Sequence, residues 1–227
     1  MKSAHIELRA IAAEALGTGF LVAGVIGSGI MASYLTNDGA LALLCNTLAT
    51  AALLVVLIML FAPISGAHFN PAVTMALAMN GVVPVSQIAP YIAAQLVGGV
   101  CGTLATHLMF GMKIFAYGMT IRTGANQWLA ESIATFGLVL TILGCARRDA
   151  SSVASAVGLY IGAAYWFTAS TSFANPAVTL ARALTPTYAG IRPQDAPFFM
   201  AAQIVGAVAA ALLGRKLFDS LQASAAK

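Results

Sequence analysis

Two stretches decide the fold, SGAHFNPAVT at 65–74 and TSFANPAVT at 171–179. Both contain Asn-Pro-Ala, and Asn followed by Pro is a helix-start signal. Asn caps the first free amides, and Pro suits the first helical position because its missing N–H would lack an intrahelical partner anyway. Short helices are therefore predicted over 70–80 and 175–185, opening on Asn70, Pro71, Ala72 and on Asn175, Pro176, Ala177. About ten helical residues rise only about 15 Å, so each element reaches halfway through the roughly 30 Å hydrocarbon layer of a membrane.

The rest of the chain makes a bilayer the expected solvent. Of its 227 residues, 60% are hydrophobic and 8% charged. Six apolar stretches, roughly 11–34, 41–62, 86–109, 128–146, 153–171 and 197–214, are long enough to span it as helices. The first follows Lys2 and Arg9 with no small-residue cleavage site, so it reads as a retained span, with the mature chain starting near Met1. An even number of spans puts both termini on one side. If that side is cytoplasmic it holds Lys2, Arg9, Arg147, Arg148, Arg215, Lys216 and Lys227, against Lys113, Arg122, Arg182 and Arg192 outside, the bias expected of a multi-pass protein with both termini inside. The net charge of +4 is thus a matter of topology, and no basic stripe with interleaved aromatics points to nucleic acid. Cys45, Cys101 and Cys145 lie in apolar stretches without CxxC spacing and read as buried, inert thiols rather than zinc ligands or a disulfide framework. No cofactor or metal is expected, and the lack of a nucleophile–base or metal-ligand cluster speaks against an enzyme.

The chain also repeats itself. AEALGTGFLV (13–22) matches AESIATFGLV (130–139), NPAVTMALA (70–78) matches NPAVTLARA (175–183), and YIAAQLVGG (91–99) resembles FMAAQIVGA (199–207). Each half holds three spans and one short element, and an odd number of spans inserts the second half upside down. The fold expected is all-α: six transmembrane helices plus two re-entrant half-helices in one domain, 1–227, with a first inverted repeat over 1–112 and a second over 127–220. Non-helical backbone is tolerated at membrane depth only where it is buried in protein or lines a watery cavity, so loops 63–69 and 171–174 are expected to line a pore. Gly98/Gly102 and Gly158/Gly162 have the spacing that lets helices approach closely.

The paired NPA motifs, each with an upstream Glu (Glu14, Glu131) and a downstream Gln (Gln95, Gln203), resemble the major intrinsic protein family of aquaporins and aquaglyceroporins over nearly the whole chain. The resemblance implies half-helices that meet tip to tip, one pore per subunit and a homotetramer in membrane lipid. Opposed helix N-termini place two partial positive charges at the centre, which disfavours cations. Asn70 and Asn175 have two readings, helix caps only or caps that also offer N–H donors to a passing oxygen. Glu14 and Glu131 likewise have two: a proton relay, the default for intramembrane acids, or the bracing of the pore loops that the family implies. His68 resembles the family's loop histidine and would line the cytoplasmic half of the pore. His5 and His107 carry no motif and read as solvated or satisfied.

The same resemblance implies a selectivity filter, carried over by spacing to Thr50, Ala163, Ser172 and Val178. Val178 stands where the family usually has arginine, and Thr179 where glycerol facilitators have Asp. This filter is expected to be wide and uncharged, as in the bacterial branch linked with arsenic resistance, which LYIGAAYWFTASTSFANPAVTLAR (159–182) resembles. The expected function is a passive channel for small neutral solutes: arsenite, methylated arsenicals, glycerol-like polyols and water. A water-selective pore and an ion-coupled secondary transporter are the alternatives. Arg182, at i+4 from Val178, has two readings: folded back toward the filter, or turned to the outer vestibule or a neighbouring subunit.

Overall fold

The computed structural model describes residues 7–225, with side chains through Phe218, so Lys2, His5 and Lys227 lie outside the described residues. Eight α-helices follow one another: α1 (Leu8–Leu35), α2 (Gly39–Ser65), α3 (Pro71–Met79), α4 (Val85–Met109), α5 (Ala125–Arg148), α6 (Val153–Phe167), α7 (Pro176–Arg182) and α8 (Ala196–Ala225). A 3-10 turn, Ala150–Ser152, leads into α6, and no strand occurs among the described residues. Six helices are long and apolar enough to cross a membrane; α3 and α7, of nine and seven residues, are not. The order long, long, short, long occurs twice.

Local chemistry sets the short elements. Asn70 accepts hydrogen bonds from the N–H groups of Ala72 and Val73, and Asn175 from those of Ala177 and Val178, with proline at the first helical position in both. The loop before α3 is shorter than the predicted 63–69. α2 runs through Pro63, which sits in its last turn, and stops at Gly66, whose φ of 87° is the left-handed conformation that glycine adopts without strain. The loop before α7 is longer than the predicted 171–174, because α6 ends at Phe167.

Close helix contacts come from glycines. A Cβ on Gly98 or Gly102 of α4 would lie 2.1 or 2.3 Å from the carbonyl oxygens of Ala15 and Gly19 on α1. Gly206 makes the matching approach of α8 to α5, at 2.2 Å from the Ser132 oxygen. On α6 only Gly158 is needed, at 2.8 Å from the Ala51 oxygen of α2; a Cβ on Gly162 meets nothing nearer than 3.4 Å. Lipid tails are as apolar as leucine, so such contacts, rather than water exclusion, hold the bundle together. The same fact corrects the reading of the cysteines. Cys45 and Cys101 are exposed on the outside of the chain and Cys145 is half-buried, because an apolar neighbourhood does not imply an inward face when the outside is also apolar.

Candidate functional site

The tips of α3 and α7 meet. Asn70 Nδ2 donates to the Ala174 carbonyl at 2.7 Å, and Asn175 Nδ2 donates to the Phe69 carbonyl at 2.8 Å. Each side-chain oxygen caps its own helix, and one of the two N–H bonds of each amide ties its helix to the opposite loop, leaving the second N–H over. Both asparagines line one cavity, together with Leu77 near the end of α3 and Arg182 at the end of α7. Its space of about 80 Å³ is well above the roughly 10–15 Å³ that a cavity needs to hold one water.

The two loops line the middle of this cavity in a conformation most residues avoid. Ala67, Phe69, Thr171, Ser172 and Ala174 all have φ between 49° and 61°, a left-handed geometry costing on the order of 1–3 kcal/mol per non-glycine residue. Two buried glutamates offset that cost. Glu14 Oε1 accepts from the Ser65 hydroxyl (2.6 Å) and the His68 amide (2.9 Å), and Oε2 from the Phe69 amide and Gln95 Nε2 (both 2.7 Å). Glu131 accepts from the Phe173 and Ala174 amides (both 2.9 Å) and from Gln203 Nε2 (2.6 Å). Each glutamine also donates to the threonine four residues after the capping asparagine, Gln95 to Thr74 at 3.0 Å and Gln203 to Thr179 at 2.8 Å. With the amides turned back to the glutamates, no donor among the described residues serves the carbonyls of Gly66, Ala67 and His68, nor those of Ser172 and Phe173. These are acceptors available to a polar solute. Neither glutamate lines the cavity.

His68 does line it, with Nδ1 3.1 Å from the Thr74 hydroxyl. His107 is buried outside it, its two nitrogens 2.9 Å from the Ile114 carbonyl and 2.8 Å from the Thr185 hydroxyl. Thr50, Ser172 and Val178 line the cavity beyond the half-helix tips, and the Ser172 hydroxyl has no protein partner. Ala163 does not. It is exposed on the outer face of α6, while Val153, Val157, Ile161 and Tyr165 make the inward stripe. The i, i+4 repeat of a helix fixes this face, and residue 163 falls midway between two of its members. In its place stands Tyr165, whose hydroxyl lies 3.4 Å from that of Thr50.

Arg182 is the second departure. It is 2% exposed and lines the cavity, with its guanidinium carbon 3.3 Å from the centroid of the Phe173 ring and Nε bonded to the Ala189 carbonyl. The part of the cavity expected to be wide and uncharged is therefore lined by a tyrosine and an arginine. Arg122 approaches the same ring at 5.0 Å, anchored to the carbonyls of Gly190 (3.0 Å) and Ser170 (3.3 Å); burial pushes its pKa below the ordinary arginine value, with Glu131 opposing. Tyr165 and Arg122 are missing from the sequence reading of the site, and Phe173 is covered there only as part of loop 171–174. The stripe 153, 157, 161, 165 was a legible signal for the first; nothing local marks the others.

Six helices long and apolar enough to span a membrane, two capped half-helices whose tips meet, and a cavity lined by both tips define a membrane pore. The family model described as Major intrinsic protein matches residues 1–169 and 147–227, and the chain belongs to that family of passive membrane channels. It is 56% identical to Aquaglyceroporin AqpS of Rhizobium meliloti (strain 1021) over 93% of this chain and 91% of that one. It is 32% identical to Aquaporin NIP1-2 of Arabidopsis thaliana over 68% of this chain, spanning about half (55%) of that longer protein. Its fold matches the aquaglyceroporin from Plasmodium falciparum with a TM-score of 0.72 at 23% identity, covering 94% of this chain and 98% of that one.

Proposed function

We propose that this channel passes small uncharged polyhydroxy solutes, glycerol-sized polyols and arsenite among them, together with methylated arsenicals and water. The observation that carries the reading is the cavity shared by the two half-helix tips, lined by both asparagines and by loop residues with unbonded carbonyls, and by no carboxylate among the described residues. A solute with several hydroxyls exchanges its hydration for these acceptors and donors in turn. A coupled transporter would need an ion-binding carboxylate in the path, and Glu14 and Glu131 are turned to the loops. Their assigned role is to brace the loops. The 56% identity to a protein named as an aquaglyceroporin supports the solute class, and arsenite, a neutral trihydroxy molecule of glycerol's size, shares its recognition chemistry. The assembly assigned is a homotetramer in a bacterial inner membrane, with both termini cytoplasmic and residues 1–112 and 127–220 as its inverted halves.

The test is shrinkage of proteoliposomes containing the full chain when challenged with glycerol, urea or arsenite, read by stopped-flow scattering beside empty liposomes. Glycerol and arsenite are expected to enter at least fivefold faster than into empty liposomes; equal rates would sink the proposal. Tyr165→Ala is expected to raise the permeability of five- and six-carbon polyols severalfold in the same assay, because it removes the largest side chain that α6 presents to the cavity.

A further inference from the structure

We propose that Arg182, one helical turn beyond the position directly after the second Asn-Pro-Ala, supplies the cationic donor that excludes cations at the outer end of the pore. The inference rests on the pore reading above. Four observations support it.

Arg182 is buried and lines the same cavity as Val178, Ser172 and Phe173. Its guanidinium is fixed, stacked on Phe173 at 3.3 Å and held through Nε by the Ala189 carbonyl. It has a donor to spare: Nε is held by Ala189 and Nη1 is buried, whereas Nη2 is neither buried nor bonded to a protein acceptor among the described residues. No carboxylate among the described residues forms an ion pair with it, since Asp195 is taken by Arg192 at 2.9 Å and Glu131 by the loop amides.

A guanidinium stays protonated and presents its donors in a planar fork. A charge in a narrow, poorly hydrated passage acts on ions with little screening, and Arg122 on the same ring adds a second charge of the same sign. A cation entering from this end meets Arg182, with the field of Arg122 added to it, before it reaches the half-helix dipoles. A neutral solute instead gains a donor for one of its oxygens. Arginine directly after Asn-Pro-Ala would sit next to the half-helix tip. Here that place is apolar, and the charge stands about 6 Å further out by helix rise. The place beside the tip then carries no charge and no long side chain, while the charge barrier is kept one turn further out.

The test uses full-length protein in proteoliposomes, comparing the native chain, Arg182→Gln and Arg182→Lys. Potassium permeability is read from the diffusion potential across a potassium gradient, and glycerol permeability from shrinkage of the same preparation. Arg182→Gln is expected to raise the potassium-to-glycerol permeability ratio at least tenfold. Arg182→Lys, which keeps the charge and loses the fork, is expected to hold the potassium permeability itself within threefold of native while slowing glycerol at least threefold. An unchanged ratio in Arg182→Gln alongside normal glycerol entry into the native vesicles would overturn the assignment of Arg182 and leave the pore reading standing. Native vesicles no faster than empty ones would instead remove the pore reading itself. If Arg182→Gln does not reconstitute as a monodisperse protein, Arg182→Lys decides alone, and native glycerol entry in that variant overturns the proposal.

Discussion

Glu14→Ala is expected to abolish recovery of monodisperse protein, or to leave a species whose solute flux is at least tenfold below native. The carboxyl group receives four hydrogen bonds, from the Ser65 hydroxyl, the His68 and Phe69 amides and Gln95. Truncation leaves these buried donors unmatched, at about 1–3 kcal/mol each, and releases a loop that holds Ala67 and Phe69 at left-handed φ. A total on the order of 4 kcal/mol or more is a large share of the 5–15 kcal/mol that keeps a typical protein folded. Glu14→Gln should fall between, since its amide oxygen still accepts while its nitrogen opposes the donors that faced Oε1 or Oε2. Size-exclusion profiles and melting temperatures in detergent, followed by flux, distinguish this from proton relay. A relay would leave Glu14→Gln folded with native stability and remove only flux driven by a pH gradient.

The second large effect is expected from Gly98→Ala, a change of one methyl group. The new Cβ would lie 2.1 Å from the Ala15 carbonyl oxygen, and because the obstacle is backbone, relief requires α1 and α4 to move apart. Overpacking of this kind costs about 1–3 kcal/mol, occasionally more. The upper end applies here, because close backbone contact is itself what holds these helices together. The melting temperature in detergent is expected to drop by at least 10 °C. Gly162→Ala, with the nearest atom at an ordinary 3.4 Å, is the control and should melt within about 2 °C of native. Equal melting of the two variants would mean that the α1–α4 contact is looser than its geometry indicates.

The helices were legible because their causes are local. Apolar length marks the six spans, and Asn-Pro marks the starts of α3 and α7 within a residue. The glutamates were also visible, as the acids repeated in both halves, but their partners were not. Thr74 and Thr179 recur within the shared NPAVT motif and could have been read; the amides of His68, Phe69, Phe173 and Ala174 carry no side-chain signature at all. The filter was the least legible part. Counting back from Asn-Pro-Ala reaches Ser172 and Thr50, which line the cavity, yet it gives Ala163 where Tyr165 stands; a helix turns about 100° per residue, so an error of two residues reverses the face.

Sequence alone determined that this chain crosses a bilayer six times, that it is a duplicated structure, and that two Asn-capped half-helices open at matched places. These follow from composition and from capping chemistry within a few residues. Only the tertiary structure decided what faces the cavity. It put Tyr165 in and Ala163 out, and it folded Arg182 back over Phe173 rather than toward the surface. Which way a side chain points in a membrane bundle depends on neighbours far along the chain, and an apolar exterior removes the polarity contrast that would otherwise reveal the inward face.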